Sequence, residues 1–83
     1  MTKTLYSIYD STADTWGQPS IMENDAVATR SFAILVNAND GNLVSLKPSD
    51  FSIWKVATFN DVNGSVLALK PEKIVNGDSV KEA

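Results

Sequence analysis

The hydrophobic and polar positions alternate in the first part of the chain. Residues 3–10 carry two tyrosines and one isoleucine in this alternation, which is the period of a half-buried β-strand. Residues 16–22 follow after a small polar turn and contain Gly17 and Pro19. Because proline cannot donate a hydrogen bond to a sheet, this second stretch predicts an edge strand or an extended arm.

A helical pattern begins at Asn24, which is a suitable N-cap, and Asp25 lies in the first turn near the positive end of the helix dipole. Residues 26–36 contain neither glycine nor proline. One apolar stripe repeats at helical spacing and comprises Ala28, Phe32, Leu35 and Val36. The Asn- and Gly-rich run at 37–42 ends the helix, since these residues tolerate the left-handed conformation at a C-terminal cap.

A hairpin is predicted over residues 51–69. Strand alternation over 51–59 predicts that one face carries Phe51, Ile53, Lys55, Ala57 and Phe59. The opposite face then carries Ser52, Trp54, Val56 and Thr58. Residues 60–64 end in Asn-Gly, which favours a tight turn, and 65–69 return as a strand.

These elements predict an α+β fold: a small antiparallel sheet of three to four strands with one helix packed on one face, in the order strand, edge strand, helix, β-hairpin. Residues 1–70 are expected to form a single domain. Residues 71–83 are expected to be a loose C-terminal tail, because they combine Pro71, Gly77 and alternating charges. One helix covers only one face of the sheet. The other face carries Trp54 and Val56 and is too apolar to be left in water, which predicts a homodimer or a protein partner.

Composition narrows the chemistry. The 83 residues include no histidine and no cysteine, which excludes Ser-His catalysis, imidazole or thiolate metal sites and disulfides. The acidic pairs that remain lie in predicted turns, at strand ends or at the helix start, where local hydrogen bonding explains them better than catalysis. They are Asp10 with Asp14, Glu23 with Asp25, and Asp50 with Asp61. We therefore expect a non-enzymatic protein with no catalytic residues, no metal site and no cofactor.

Charge and aromatic residues point to binding. The formal net charge is −3, which opposes coating of nucleic acid by charge alone. Aromatic residues concentrate on the predicted strands and can stack bases beside lysines, although core packing or a dimer interface explains most of them better. The candidate residues for binding nucleic acid or a partner are Lys3, Tyr6, Tyr9, Trp16, Arg30, Trp54 and Lys55.

Several short motifs occur together in a familiar order over residues 4–69: Tyr-Ser-Ile-Tyr-Asp-Ser at 6–11, Gly-Gln-Pro at 17–19, Asn-Asp-Ala-Val-Ala-Thr-Arg-Ser-Phe at 24–32, Pro-Ser-Asp-Phe-Ser-Ile-Trp-Lys-Val at 48–56, and Phe-Asn at 59–60. In this order and spacing they resemble the small nonstructural protein of gokushovirus-type microviruses, which are single-stranded DNA bacteriophages. The resemblance implies a non-capsid accessory protein that assists viral DNA synthesis or single-stranded genome packaging. It supplies no catalytic residues.

Two functions remain open from the sequence. One is an accessory module, either monomeric or dimeric, whose strand aromatics contact single-stranded DNA. The other is a homodimeric interaction module that docks on a replication, host or procapsid protein without direct DNA contact. Neither a signal peptide nor a membrane span is predicted, so the cytoplasm of the infected bacterium is the expected location.

Overall fold

A computed structural model describes residues 1–82 as an antiparallel sheet with a helical layer on one face. The strands are β1 (Thr2–Asp10), β2 (Thr15–Trp16), β3 (Ser20–Met22), β4 (Phe51–Asn60) and β5 (Val66–Asn76). The helices are α1 (Asp25–Val36), α2 (Leu43–Leu46) and α3 (Gly77–Val80), with a 3₁₀ turn at Pro48–Asp50. The strand order is β2-β1-β4-β5, and β3 also pairs with β1. The predicted α+β class is confirmed.

Helix α1 begins and packs as its sequence predicts. The Asn24 side chain accepts a hydrogen bond of 2.9 Å from the backbone N–H of Val27, which satisfies one of the free donors at the helix start. One face of α1 is buried against the sheet. The core cluster consists of Tyr6, Ala28, Phe32, Val36, Phe51 and Ile53.

The predicted edge strand is divided in two. Residues 17–19 separate β2 from β3, and Pro19 lies in this gap, where no ladder hydrogen bond is required of it. Both short strands pair with β1 along the same edge. That edge is therefore occupied in two separate places rather than by one continuous strand.

A β-bulge overturns the predicted alternation of β4. Tyr6 of β1 pairs with Lys55, whereas the preceding Leu5 pairs with Ala57, so Val56 is the extra residue. Paired residues of antiparallel strands lie on the same face. Ala57 and Phe59 therefore lie on the face opposite Lys55, and the prediction that these three residues share a face is wrong.

The prediction of a loose C-terminal tail is also wrong for residues 71–80, which form regular structure. Strand β5 continues past Pro71 to Asn76, because an edge strand tolerates proline where no ladder bond is needed. Helix α3 then turns back, and Val80 packs against the core. Gly77 is buried, and a Cβ there would lie 2.1 Å from the carbonyl oxygen of Pro48. Only glycine allows this close approach of two backbone segments.

The β4–β5 hairpin has two unlike ends. The proximal hairpin, residues 51–55 and 72–76, supplies Phe51 and Ile53 to the core, with Ile74 and Val75 packed against it. The distal hairpin, residues 57–69, supplies no residue to the core cluster formed within residues 1–82. The molecule measures 42 × 23 × 19 Å along its principal axes, so it is markedly elongated.

Candidate functional site

Three aromatic residues meet on the sheet face opposite α1, and we call them the aromatic platform: Tyr9, Trp16 and Trp54. The ring centroids of Tyr9 and Trp16 are 4.7 Å apart, and those of Trp16 and Trp54 are 5.5 Å apart. Tyr9 and Trp54 lie 6.3 Å apart, edge to face. These separations are typical of favourable aromatic pairs. The structure thus brings together three of the seven candidate residues.

Strand pairing places each ring of the platform. Tyr9 on β1 lies directly opposite Trp16 on β2. The segment after β2 is fixed because Gly17 donates its N–H to the Ile8 carbonyl at 2.8 Å and accepts the Ser7 hydroxyl at 2.7 Å. Trp54 projects from β4, which is the neighbour of β1 on the other side. The platform is therefore built on paired backbone.

The single hydrogen-bond donor of the Trp54 indole has a partner within the fold. Its Nε1–H donates to the Ser52 hydroxyl at 2.7 Å. The Lys73 ammonium lies 5.7 Å from the ring centroid, within cation–π range. Sequence reasoning missed Lys73, because it placed that residue in a loose tail, and no local signal marks it as the cross-strand partner of Trp54.

Trp16 is the accessible ring of the platform. Its residue is 46% exposed, whereas Tyr9 and Trp54 are half-buried. Trp16 therefore offers a planar ligand the most open surface of the three residues. Stacking on an exposed indole face requires no hydrogen-bond match, so such a site accepts any flat π-system.

Acidic groups border the platform on the β1–β2 turn. The Tyr9 hydroxyl donates to the Asp14 carboxylate. This hydrogen bond raises the pKa of the Tyr9 phenol above its ordinary value of 10.0. The Asp10 carboxylate accepts the backbone N–H groups of Thr12 and Ala13 at 3.0 and 3.2 Å. Both carboxylates have local hydrogen-bonding roles, and their charges oppose a phosphate placed at this end of the platform.

Tyr6 and Lys55 lie on the other face, under the start of α1. Tyr6 is 2% exposed and donates its hydroxyl to Asp25 at 2.6 Å, while the Lys55 ammonium lies 3.4 Å from the same carboxylate. Burial, and then the Asp25 hydrogen bond, raise the pKa of the Tyr6 phenol. The hydrogen bond from Tyr6, together with Lys55, lowers the pKa of Asp25. A buried ring offers no face for stacking. Tyr6 is therefore a core residue, and its hydrogen bond to Asp25 joins α1 to the sheet.

Lys3 and Arg30 line a different surface. A groove of about 690 Å³ runs between β1, β3 and α1, and both side chains contribute to its lining. The Lys3 ammonium lies 3.9 Å from the Asp61 carboxylate, whose other oxygen accepts the N-terminal ammonium at 2.7 Å. The structure therefore does not bring Arg30 to the aromatic platform.

Within residues 1–82, no group of three or more acidic side chains is arranged to hold a metal ion. Over the same range, no helix has the length and apolar character needed to cross a membrane.

Comparison with known proteins bears on the whole site. The sequence profile of the family described as phage ORF5 protein matches residues 3–80. The chain belongs to this family. The match includes every strand from Lys3 onwards and α3, so the whole platform lies within the phage ORF5 region. No curated protein and no solved structure matches the chain. This member of the phage ORF5 family is accordingly a phage accessory protein.

Proposed function

We propose that this phage ORF5 protein is a non-enzymatic, nonstructural accessory protein of a gokushovirus-type microvirus. It assists viral DNA synthesis or single-stranded genome packaging in the cytoplasm of the infected bacterium. It acts by binding single-stranded DNA on the aromatic platform. The observation that carries the proposal is the convergence of Tyr9, Trp16 and Trp54, from three strands, on the sheet face that α1 leaves uncovered.

Stacking supplies the binding energy in this proposal. Each base stacked on an aromatic side chain contributes about 1–3 kcal/mol in proteins that bind single strands without sequence preference. The half-exposed Trp16 ring offers such a face. Tyr9 and Trp54 pack against Trp16, with ring centroids 4.7 and 5.5 Å away, which limits the side-chain entropy that binding would otherwise cost.

Electrostatics contribute little in this proposal. Lys73 is the cation at the platform, and the chain as a whole has a formal net charge of −3. The logarithm of the binding constant falls with the logarithm of salt concentration by about 0.7 for each phosphate neutralised on a single strand. With one or two phosphates contacted, we expect a slope of about −0.7 to −1.4, which is shallow for a DNA-binding protein.

Fluorescence anisotropy with a labelled oligothymidine tests the proposal. Trp16→Ala should weaken binding about tenfold, the equivalent of 1.4 kcal/mol of lost stacking. Trp16→Phe keeps a ring and should retain most of the affinity. Absence of binding by the unmodified protein at about 50 µM in low salt, or equal affinity of the Trp16→Ala variant, would refute the DNA platform.

A pair of lysine variants sharpens the same measurement. Lys73→Ala should weaken binding and make the salt slope shallower, because it removes the cation at the platform. Lys47→Ala is the matched control, since Lys47 is exposed at the end of α2 and lies outside the platform strands. Equal losses in both variants would indicate general attraction to charge rather than a site beside Trp54.

A second candidate function is docking on a replication, host or procapsid protein without DNA contact. The acidic border formed by Asp10 and Asp14 favours it, because these carboxylates repel phosphate and suit a basic protein surface. Trp54→Glu should then abolish capture of a purified phage or host partner while the far-ultraviolet circular dichroism spectrum stays unchanged. Capture that survives this substitution would exclude the platform as the docking surface.

A further inference from the structure

The two edges of the sheet are protected to different degrees. The β1 edge is occupied at two places by β2 and β3. The opposite edge is β5, which is 11 residues long and pairs with β4 alone among the described strands. Unpaired backbone N–H and C=O groups along such an edge can accept another strand.

The proximal part of β5 is protected by its sequence. Residues 70–73 read Lys-Pro-Glu-Lys, and lysine and proline are the residues that proteins use to prevent strand addition at an edge. The next segment towards the turn, Val66–Leu69, contains no charge and no proline. Val66–Leu69 is therefore an unprotected stretch of the β5 edge, and it lies in the distal hairpin.

Val66, Leu67 and Ala68 are exposed, and Leu69 is half-buried. Val66 and Leu67 are 61% and 64% exposed. Val66 pairs with Phe59 and Leu67 with Thr58, so the two side chains point to opposite faces of the sheet. A partner packed on one face would cover only one of them. A strand added at the edge places neighbours beside both.

Charge indicates what this partner is. Asp61 is the sole charged residue between positions 56 and 69, and the N-terminal ammonium at 2.7 Å and Lys3 at 3.9 Å offset its charge. The distal hairpin is thus a neutral apolar surface on an anionic protein. Two copies of this chain repel each other least where each presents such a surface, and the same segment then serves on both sides of a two-fold axis.

We infer that two copies of the protein associate by antiparallel pairing of Val66–Leu69 across a two-fold axis, which joins their sheets edge to edge. The axis passes through the Leu67 pair, so Leu67 of each copy faces the partner's Leu67, Val66 faces the partner's Ala68 and Leu69 faces the partner's Ser65. Such a ladder is short, and the dimer is therefore weak and concentration-dependent. This surface is separate from the aromatic platform, which stays free in the dimer.

Sedimentation of the full chain from about 5 µM to about 500 µM tests the inference, because a weak dimer dissociates within this range. We expect the weight-average mass to rise from that of a monomer towards twice that value. Leu67→Glu places two carboxylates near the axis and should keep the protein monomeric. Ile34→Glu on α1 is the matched control, since Ile34 is 67% exposed and should leave association unchanged.

Hydrogen exchange of the unmodified protein gives a second readout that needs no variant. Outward-facing amides within residues 66–69 should exchange more slowly at high concentration, whereas those of residues 72–76 should not change. A protein that remains monomeric at about 500 µM would overturn the inference. So would a dimer without protection at 66–69, or one that Ile34→Glu dissociates and Leu67→Glu does not. Loss of DNA binding in a variant that still dimerises would bear on the platform alone.

Discussion

The two ends of the β4–β5 hairpin belong to one strand pair, with a register shift between them, and they differ in what their side chains contact. In the proximal hairpin, Phe51 and Ile53 lie against α1 and are 8% and 1% exposed. In the distal hairpin, Val66 and Leu67 are more than half exposed. Backbone pairing alone contributes little net stability, since it replaces hydrogen bonds to water. The comparison indicates that the fold is held at one end and that the other end is available for association.

The largest expected effect concerns the core beneath α1. Phe32→Ala should lower the free energy of unfolding by about 3–5 kcal/mol, because Phe32 is 1% exposed and its loss leaves a cavity. Leu67→Ala in the distal hairpin should change it by no more than about 0.5 kcal/mol. Urea denaturation at a low protein concentration measures both. Similar losses would show that the two ends are equally structural.

The next effect concerns the return of the chain onto the proximal hairpin. Gly77→Ala should cost about 1–3 kcal/mol, since the added Cβ would lie 2.1 Å from the Pro48 carbonyl oxygen and force the backbone to move. Gly17→Ala is the control, because its Cβ would lie at an ordinary 3.4 Å from the Ile8 oxygen. Thermal unfolding distinguishes the two. An unaffected Gly77→Ala protein would mean that α3 is not fixed against the 3₁₀ turn.

A smaller effect concerns pH. Asp25 has a pKa below its ordinary 3.8 in the folded protein, so its contribution to stability is complete above that value and is lost as pH falls through the folded pKa. Tyr6 has a pKa above its ordinary 10.0, so its contribution is complete below pH 10 and is lost as pH rises further.

Two substitutions separate these contributions. Asp25→Asn should flatten the acid side of the profile of unfolding free energy against pH, and Tyr6→Phe should flatten the alkaline side. At neutral pH, Tyr6→Phe should cost about 0.5–1.5 kcal/mol for the lost hydrogen bond. Profiles identical to that of the unmodified protein would show that the bond between α1 and the sheet does not contribute to stability.

The smallest effect concerns the ion pairs of the distal hairpin. Asp61→Asn removes contacts to the N-terminal ammonium and to Lys3, and both sides are solvent-exposed. We expect a loss of less than about 1 kcal/mol that disappears in high salt. Urea denaturation at two salt concentrations provides the check. A large, salt-independent loss would indicate that the distal hairpin is more firmly anchored than its burial implies.

Local signals predicted much of this fold from the sequence. The N-cap at Asn24, the apolar stripe of α1 and the turn before β5 each depend on residues close together in the chain. These features follow from backbone preferences that tertiary contacts reinforce. The order strand, edge strand, helix and hairpin was predictable for the same reason.

Features that depend on distant residues were not predictable. The bulge at Val56 is defined only by the register of β4 with β1, so alternation within one strand cannot reveal it. Pro71 reads as a break unless β5 is known to be an edge strand. Tyr9, Trp16 and Trp54 were each candidates for binding, but their contact requires three strands to be aligned. Lys73 joins them by the same alignment.

The placement of Trp16 and Trp54 also determines which part of this protein optical spectroscopy observes. They are the only two tryptophans in the sequence, and their rings are 5.5 Å apart. Intrinsic fluorescence therefore comes almost entirely from one patch of the sheet, and the near-ultraviolet circular dichroism of the coupled indoles comes from the same patch. A spectroscopist who follows emission during unfolding observes the loss of that patch, whereas the amide signal follows the helix and strands.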